Sequence, residues 1–213
     1  MIDMSGINLA SHSFLIHIPT STTPIPMDED PTIQGRFKKG SSVTTATNSH
    51  HTDYLVHSLS FTMNYARALL KDVKEEDFAR LPMPNFNHPA FVYGHLAVTA
   101  NFMLELLGRD DAKIELPFDP EPYTPSATCV EQDGRYSAMD VIVSPCFAAH
   151  DAVLEVLPTI DPEVFAQANP VEGFSNMMPR IGDAITFMCC SHTMMHLGQV
   201  SMWRRAMGLG SCF

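Results

Sequence analysis

The sequence predicts an all-α protein that folds as a four-helix bundle. Four segments of about 20 residues carry apolar side chains at helical spacing. Their ends are marked by capping residues, prolines or a glycine. Four rods of that length, each roughly 30 Å long with one apolar stripe, bury those stripes most simply against one another.

Residues 53–73 and 88–108 form the first two predicted helices. The stripe of the first consists of leucine and alanine at helical positions: Leu55, Leu59, Ala66 and Leu70. Asn87 or His88 caps the second helix, and Pro89 occupies its first turn, where no intrahelical partner is lost. Both segments are expected to bury one face in the bundle.

The third and fourth helices are predicted over residues 138–157 and 180–207. Ser137 and Asp140 resemble a capping box at the start of the third helix, and Pro158 ends it. The fourth helix ends in two arginines followed by a glycine. That combination is typical of a helix C-terminus, because cations favour the negative end of the helix dipole.

The chain is expected to hold one bundle domain preceded by an extension. Residues 1–50 are rich in Ser, Thr, Pro and Gly and show no helical period, which predicts a loosely structured extension. Residues 51–213 form the predicted domain. Two long proline-rich loops, 109–136 and 158–179, either carry function or cross the ends of the bundle, as an up-down-down-up connection requires.

Composition argues against several classes of partner. The formal net charge of −11 disfavours nucleic acid and anionic lipid surfaces. No run of about 18 apolar residues is present, so no membrane-spanning segment is expected. The five cysteines form no CxxC pair, and the N-terminus lacks the basic region of a signal peptide. These features favour a cytoplasmic protein in a reducing compartment.

Two histidines on the fourth helix form the first candidate metal site. His192 and His196 read HTMMH, and a spacing of four puts both rings on one helix face, with Cβ atoms roughly 6 Å apart. That face is expected to point into the core, because it belongs to a stripe at helical spacing: Ile185, Met188, His192, Met195, Gln199, Met202 and Ala206. Two such imidazoles either share one metal ion or form a hydrogen-bonded core pair.

His95 adds a third inward ring from the second helix. It lies on a stripe that is otherwise apolar: Phe91, His95, Val98, Phe102 and Leu106. Three histidines from two helices can form a facial set of three nitrogen ligands with coordination positions left open, as catalytic metal sites have. The candidate metal ligands are therefore His95, His192 and His196.

The remaining histidines and cysteines near this site receive structural interpretations. His57 falls on the far side of the first helix from its apolar stripe and is assigned to the surface. His150 is interpreted as a partly buried rim histidine. The alternatives are a residue that supports a metal ligand, a residue of the pocket wall, or a rival ligand. Cys189 and Cys190 are assigned to packing, with a thiolate ligand at Cys189 as the alternative.

Several catalytic signatures are absent from the sequence. There is no HExxH, GxSxG, GxGxxG or GxxxxGK[ST], which removes the main evidence for a zinc protease, a serine hydrolase, a Rossmann enzyme or a P-loop enzyme. A ferritin-like di-iron centre needs Glu-x-x-His pairs on inward faces, and none is visible. No catalytic residue can be named from the sequence.

Two stretches of the chain resemble the DinB-like superfamily of metal-binding four-helix bundles. They are HPAFVYGHLAVTANFMLELLG, which contains His95, and CSHTMMHLGQVSMWRRAMGLG, which contains His192 and His196 before an HLGQ…RR…G ending. The segment KEEDFARLP is also similar to this family, and the resemblance covers residues 53–210. It implies an up-down-down-up bundle that binds a divalent metal ion, often zinc or nickel, through these three histidines.

The resemblance also implies a range of activities. Members with known activity include transferases and isomerases that use mycothiol, bacillithiol or glutathione; others are regarded as metal-dependent hydrolases, and homodimers are frequent. The leading hypothesis is a metal-dependent enzyme in which a small thiol attacks a small electrophilic substrate. The alternatives are hydrolysis, a metal-binding or ligand-binding module without turnover, a haem bundle with two histidine ligands, and a purely structural bundle. Gln199, one turn from His196, is a candidate for orienting a ligand.

Overall fold

The computed structural model is all-helical, which confirms the predicted fold class. It describes residues 48–212, with side chains from Thr52 onward, and contains no β-strand in that range. Residues 1–47 lie outside the described residues, so the loosely structured extension over 1–50 and the domain boundary at residue 51 stay predictions. The up-down-down-up order of the helices also stays a prediction.

Six α-helices make up the described part of the chain. Their bounds are α1 Asn48–Leu69, α2 Pro89–Leu106, α3 Met139–Val156, α4 Pro162–Ala166, α5 Ile181–Thr186 and α6 Thr193–Ala206. A π-helical segment, Phe187–His192, joins α5 to α6. Short 3-10 turns lie in the connections, at Glu75–Asp77, Asp110–Ala112, Glu121–Tyr123 and Leu157–Thr159. The four predicted helices therefore correspond to α1, α2, α3 and the continuous α5–α6 rod.

The hydrophobic core lies between these four rods. Both α1 and α2 pack against α3 and against α6. α2 is buried on nearly every side, and Tyr93 near its middle donates its hydroxyl to the carbonyl of Ala66 in α1 at 2.5 Å. Because α2 has so little contact with solvent, a polar side chain such as His95 must find its hydrogen-bond partners inside the protein.

The ends of α2 agree with the sequence pattern to within two residues, whereas both ends of α1 lie earlier in the chain than predicted. α1 begins at Asn48, earlier than predicted, and Leu69 rather than Leu70 is its last fully buried side chain. At the start of α2, the Nδ1 of His88 accepts a hydrogen bond from the backbone N–H of Phe91 at 3.1 Å. The predicted cap is thus confirmed, and it is a fully buried cap rather than a surface one.

The capping box predicted for α3 is wrong. The N-cap residue is Ala138, which offers no side-chain cap. The carboxylate of Glu75, in the turn after α1, accepts the backbone N–H of Met139 at 3.0 Å instead. A carboxylate from 64 positions away therefore satisfies the open end of α3, which local sequence alone does not reveal.

The π-helical segment shifts the buried face of the α5–α6 rod by one residue. A π turn bonds i to i+5 and so takes up one extra residue. After it, the buried positions are Thr193, Leu197, Val200, Trp203 and Arg204. The predicted stripe is correct at Ile185 and Met188 but wrong at Met195 and Met202, which are 54% and 56% exposed.

α3 is the one described helix that is apolar and long enough to cross a membrane by length and composition. The span runs over Met139–Thr159, and 44% of the window is buried inside the protein. A core helix of a helical bundle passes the same test, and α3 packs extensively against α2. The absence of a membrane-spanning segment therefore stays a prediction.

A buried arginine ties the end of α1 to the end of α6. Arg204 is 2% exposed, and its Nη1 donates to the carbonyls of Leu69 and Lys71, which lie at the C-terminal end of α1. Its guanidinium thus satisfies carbonyls that the helix end leaves without partners and sits at the negative end of the α1 dipole. The neighbouring Arg205 is exposed and bonds only within its own helix, to Ser201.

We expect Arg204→Met to lower the free energy of unfolding by about 2–4 kcal/mol, because it leaves buried carbonyls without a donor. Arg205→Met is the matched control and should change stability by no more than about 0.5 kcal/mol. Denaturant titration followed by circular dichroism measures both. Equal effects of the two substitutions would contradict the assigned role of Arg204.

Candidate metal centre

The three candidate ligands come together between α2 and the α5–α6 rod. The Nε2 atom of His192 lies 3.2 Å from the Nε2 of His95 and 3.2 Å from the Nε2 of His196. One ligand nitrogen from each ring falls within 4.8 Å of the other two. Two nitrogens bound to one tetrahedral zinc ion at the usual bond length would be separated by about 3.3 Å. The spacing therefore matches what a shared cation requires.

The position of His95 depends on the loop between α2 and α3. Its Nδ1–H donates to the backbone carbonyl of Tyr123 at 2.8 Å, and a carbonyl can only accept. The proton is therefore on Nδ1, and Nε2 carries a bare lone pair. Gly94 makes this approach of the loop feasible, because a Cβ there would lie 2.1 Å from the ring of Tyr123.

His196 is held in the same tautomer by a side chain of its own helix. Its Nδ1 lies 3.0 Å from the amide oxygen of Gln199, which also accepts a hydrogen bond from the Nδ2 of Asn87 at 3.0 Å. An amide oxygen accepts only, so Nδ1 of His196 is the donor and Nε2 is bare. Gln199 was predicted to orient a ligand, and its observed contact is with His196.

Within the described part of the chain, His192 makes no hydrogen bond through its Nδ1 atom. It is the last residue of the π-helical segment, and its Nδ1 is buried with no hydrogen-bond partner. The ring packs beside Phe187, with centroids 5.8 Å apart. His192 thus depends on its Nε2 side for polar interactions.

A count of protons favours a cation over a hydrogen-bonded cluster. The Nε2 atoms of His95 and His196 are both bare, so only His192 has a proton to offer to two acceptors. Placing that proton on Nε2 leaves its buried Nδ1 lone pair without a donor. A cation instead receives all three lone pairs at once, so the donor set fits a divalent metal ion.

Burial keeps the three rings neutral, which is the state that binds metals. Burial, and then repulsion from the other histidines, lowers the pKa of His192 to about 3. The same causes lower the pKa of His196 to about 4. Burial also lowers the pKa of His95, which the contact with Tyr123 partly offsets.

The other candidate residues lie where the sequence indicated, with one exception. His57 is exposed on α1, as predicted. Cys189 is fully buried and its Sγ contacts the sulfur of Met103 at 3.9 Å, which supports packing. His150 was interpreted as a rim residue, and this is wrong: it is fully buried because its face of α3 turns into the core, and its Nδ1 donates to the carbonyl of Cys146 at 2.7 Å.

Two further residues support the site without being identified as such from sequence. Asn87 was considered only as a helix cap, and Tyr123 was not singled out because a backbone carbonyl leaves no mark on the sequence. The length of the 109–136 loop was the one available signal for Tyr123.

A cleft in the described part of the chain lies apart from the candidate metal centre. It measures about 870 Å³ and lies in the loop between α2 and α3. None of its lining residues is one of the three histidines. The three potential ligand nitrogens converge outside this cleft.

Gly94→Ala should disturb the metal centre through Tyr123. The added methyl group overlaps the tyrosine ring, so we expect a loss of about 1–3 kcal/mol in unfolding free energy and weaker metal binding. Gly198→Ala is the matched control on α6, because nothing lies within 4 Å of its Cβ position. That control should keep metal affinity and gain up to about 1 kcal/mol from helix propensity. Equal metal affinity in the two variants would contradict the role of Tyr123.

Acid should destabilise the protein partly through His150. Burial lowers the pKa of His150 to about 4, so the folded state keeps the ring neutral while the unfolded chain takes up a proton below about pH 6.5. Stability from this group is therefore lost as the pH falls from about 6.5 to about 4. We expect the unfolding free energy of His150→Leu, relative to wild type, to rise by roughly 2–3 kcal/mol between about pH 7.5 and pH 4.5. His57→Leu, at an exposed position, controls for the loss of one histidine. A difference in unfolding free energy between His150→Leu and wild type that does not change with pH would contradict the prediction.

The comparison with known proteins agrees with this geometry. No curated protein and no solved structure matches the chain. The family model of the DinB superfamily matches residues 58–200, which is more than half of the chain and includes all three histidines. The chain therefore belongs to the DinB superfamily.

Proposed function

We propose that this protein is a divalent-metal-dependent enzyme that transfers a small thiol to a small electrophilic substrate, or isomerises such a substrate with the help of the thiol. The observation that carries the proposal is the convergence of one ligand nitrogen each from His95, His192 and His196 within 4.8 Å of one another. Zinc or nickel suits a site of three imidazoles. Three protein ligands leave coordination positions open for a thiol or a substrate, as catalytic sites do.

The chain's own residues have distinct tasks in this scheme. His95, His192 and His196 would hold the ion, and their low proton affinity keeps them available as ligands. Tyr123 and Gln199 fix the orientation of two of the rings through their Nδ1 atoms. When bound, the ion supplies the positive charge that favours the thiolate form of a coordinated thiol.

The composition of the cluster favours thiol transfer over hydrolysis. Among the described residues, the group of potential metal ligands contains histidines and no Asp or Glu. A reaction that needs a carboxylate to move protons has no such group in place. A thiol gives up its proton more readily than water does, so thiol transfer needs less from the protein. Hydrolysis remains the alternative, and it requires an acid or base from elsewhere.

The cellular location, the substrate class and the oligomeric state are also part of the proposal. The cysteines of the described chain are free, which suits a reducing cytoplasm, where small thiols are abundant. The net charge of −11 supports a small-molecule substrate rather than a nucleic acid. We include a homodimer in the proposal on the resemblance to the family alone.

Metal loading gives the first test. Protein purified without a histidine tag should contain about one divalent ion per chain, as expected for a single site of this kind. His95→Ala, His192→Ala and His196→Ala should each lose it, whereas His57→Ala, at an exposed position, should retain it. Elemental analysis after gel filtration measures the content, and circular dichroism confirms folding. Unchanged metal content in the three variants would place the site elsewhere.

Turnover of the same preparations then tests the reaction class. With a chloro-dinitrobenzene electrophile and a panel of small thiols, the loaded protein should form the thioether faster than the metal-free protein, with release of chloride. His192→Ala should match the metal-free rate. Ester hydrolysis without thiol, in place of thioether formation, would favour the hydrolase; no rate enhancement in either assay would favour a binding module.

A further inference from the structure

The amide of Gln199 links the metal centre to a second side chain that the proposed reaction does not use. Its oxygen receives two hydrogen bonds, one from Nδ1 of His196 and one from Nδ2 of Asn87, both 3.0 Å long. Asn87 lies in the connection before α2, and Gln199 lies on α6, 112 positions later. The contact therefore joins the connection that leads into α2 to the helix that carries His196.

The direction of the Gln199 amide decides where the proton of His196 is found. The two ends of an amide side chain are nearly the same size, but one accepts hydrogen bonds and the other donates them. An oxygen facing His196 requires a proton on Nδ1 and leaves Nε2 bare. An NH₂ group facing His196 requires a bare Nδ1 and puts the proton on Nε2, where it blocks metal binding.

Water alone would not favour one orientation of the Gln199 amide over the other. Asn87 and Gln199 line a pocket of about 180 Å³, together with Asn85, Phe86 and Met202. Gln199 is only half-buried, and water can donate to an oxygen or accept from an NH₂ group equally well. A donor supplied by the protein breaks this symmetry, and the NH₂ group of Asn87 is that donor.

We propose that Asn87 is a positioning residue for the metal centre: by donating to Gln199, it keeps His196 in the tautomer whose Nε2 lone pair faces the metal ion. This inference rests on the proposed function, because it concerns the same three histidines. Asn87 touches neither the ion nor the substrate, and it acts through Gln199. Residues that orient metal-binding histidines in this way typically contribute 10- to 100-fold to metal affinity.

Asn87→Asp tests the relay with almost no change in shape. A carboxylate only accepts, so it should draw the NH₂ group of Gln199 towards itself and present the same group to His196. We expect zinc affinity, measured by competition with a chelator, to fall by about 10- to 100-fold. If the added negative charge only attracted the cation, zinc affinity would rise. A fall in zinc affinity therefore supports the effect on the His196 tautomer, and a rise would indicate charge attraction alone.

The position of the proton can be observed directly in metal-free protein. Nitrogen-15 chemical shifts of the His196 ring distinguish the two neutral tautomers. We expect the proton on Nδ1 in the wild type and on Nε2 in Asn87→Asp. Wild-type shifts that persist in Asn87→Asp, or zinc affinity that is equal or higher, would overturn the proposal.

A double-mutant cycle separates the relay from a structural effect of Asn87. Both oxygens of a glutamate side chain accept hydrogen bonds. In Gln199→Glu, His196 therefore meets an acceptor whichever way the side chain is turned, and Asn87 is no longer needed to orient it. Asn87→Ala should weaken zinc binding about 10-fold in the wild-type background and by less than about twofold in the Gln199→Glu background. Equal losses in both backgrounds would show that Asn87 acts through packing and would overturn the proposal.

Asn85→Gly provides the matched control. Asn85 lines the same pocket, and its φ of 65° is one that glycine adopts without strain. It makes no hydrogen bond to Gln199 among the described contacts, so zinc affinity should stay within about twofold of the wild type. If the wild-type protein bound no metal, the proposed function would fail, and the nitrogen-15 shifts of metal-free protein would still decide whether Asn87 sets the tautomer.

Discussion

One ligand nitrogen from each of three imidazoles lies in one small volume between α2 and the α5–α6 rod, and this constraint shapes much of the protein around it. Burial makes protonation of the rings unfavourable, so the cluster does not acquire positive charge by itself near neutral pH. Lone pairs held 3.2 Å apart repel unless a proton or a cation lies between them. The surrounding structure has to impose this arrangement, and it does so differently for each ring.

The groups that hold the three rings lie at different distances along the chain from the histidines, and only two of the rings have a hydrogen-bond partner that fixes them. His95 is held by the carbonyl of Tyr123, which comes from the long loop after α2. His196 is held by Gln199, one turn further along α6. His192 has no such support in the described structure and takes its place from the π-helical segment. The long loop therefore supports the candidate metal centre, although the cleft of about 870 Å³ within this loop contains none of the three histidines.

The sequence indicated the candidate ligands more readily than the groups that orient them. A spacing of four on one helix and one histidine in an apolar stripe were enough to find His192, His196 and His95, because helical geometry turns spacing into direction. The π-helical segment defeated the same rule beyond His192, since one extra residue per turn moves the stripe without leaving a pattern in composition. Met195 and Met202 were misplaced for that reason.

Tertiary contacts explain the other differences between expectation and structure. The start of α3 is satisfied by Glu75, and the depth of His150 follows from the packing of α3 against α2, neither of which is encoded locally. Asn87 reads as a helix cap in the sequence, but His88 takes that role and leaves Asn87 free to reach Gln199. The existence of the helices and most of their buried positions were predictable here, whereas contacts over long sequence distances were not.

X-ray absorption spectroscopy of the tag-free, metal-loaded protein tests the central claim most directly, because it reports the ligands of the ion itself. We expect about three imidazole nitrogens at roughly 2.0–2.1 Å from the ion, with water filling the open positions. Added thiol should introduce a sulfur ligand near about 2.3 Å. A shell of oxygen atoms alone, or cysteine sulfur in thiol-free protein, would contradict a centre built from His95, His192 and His196.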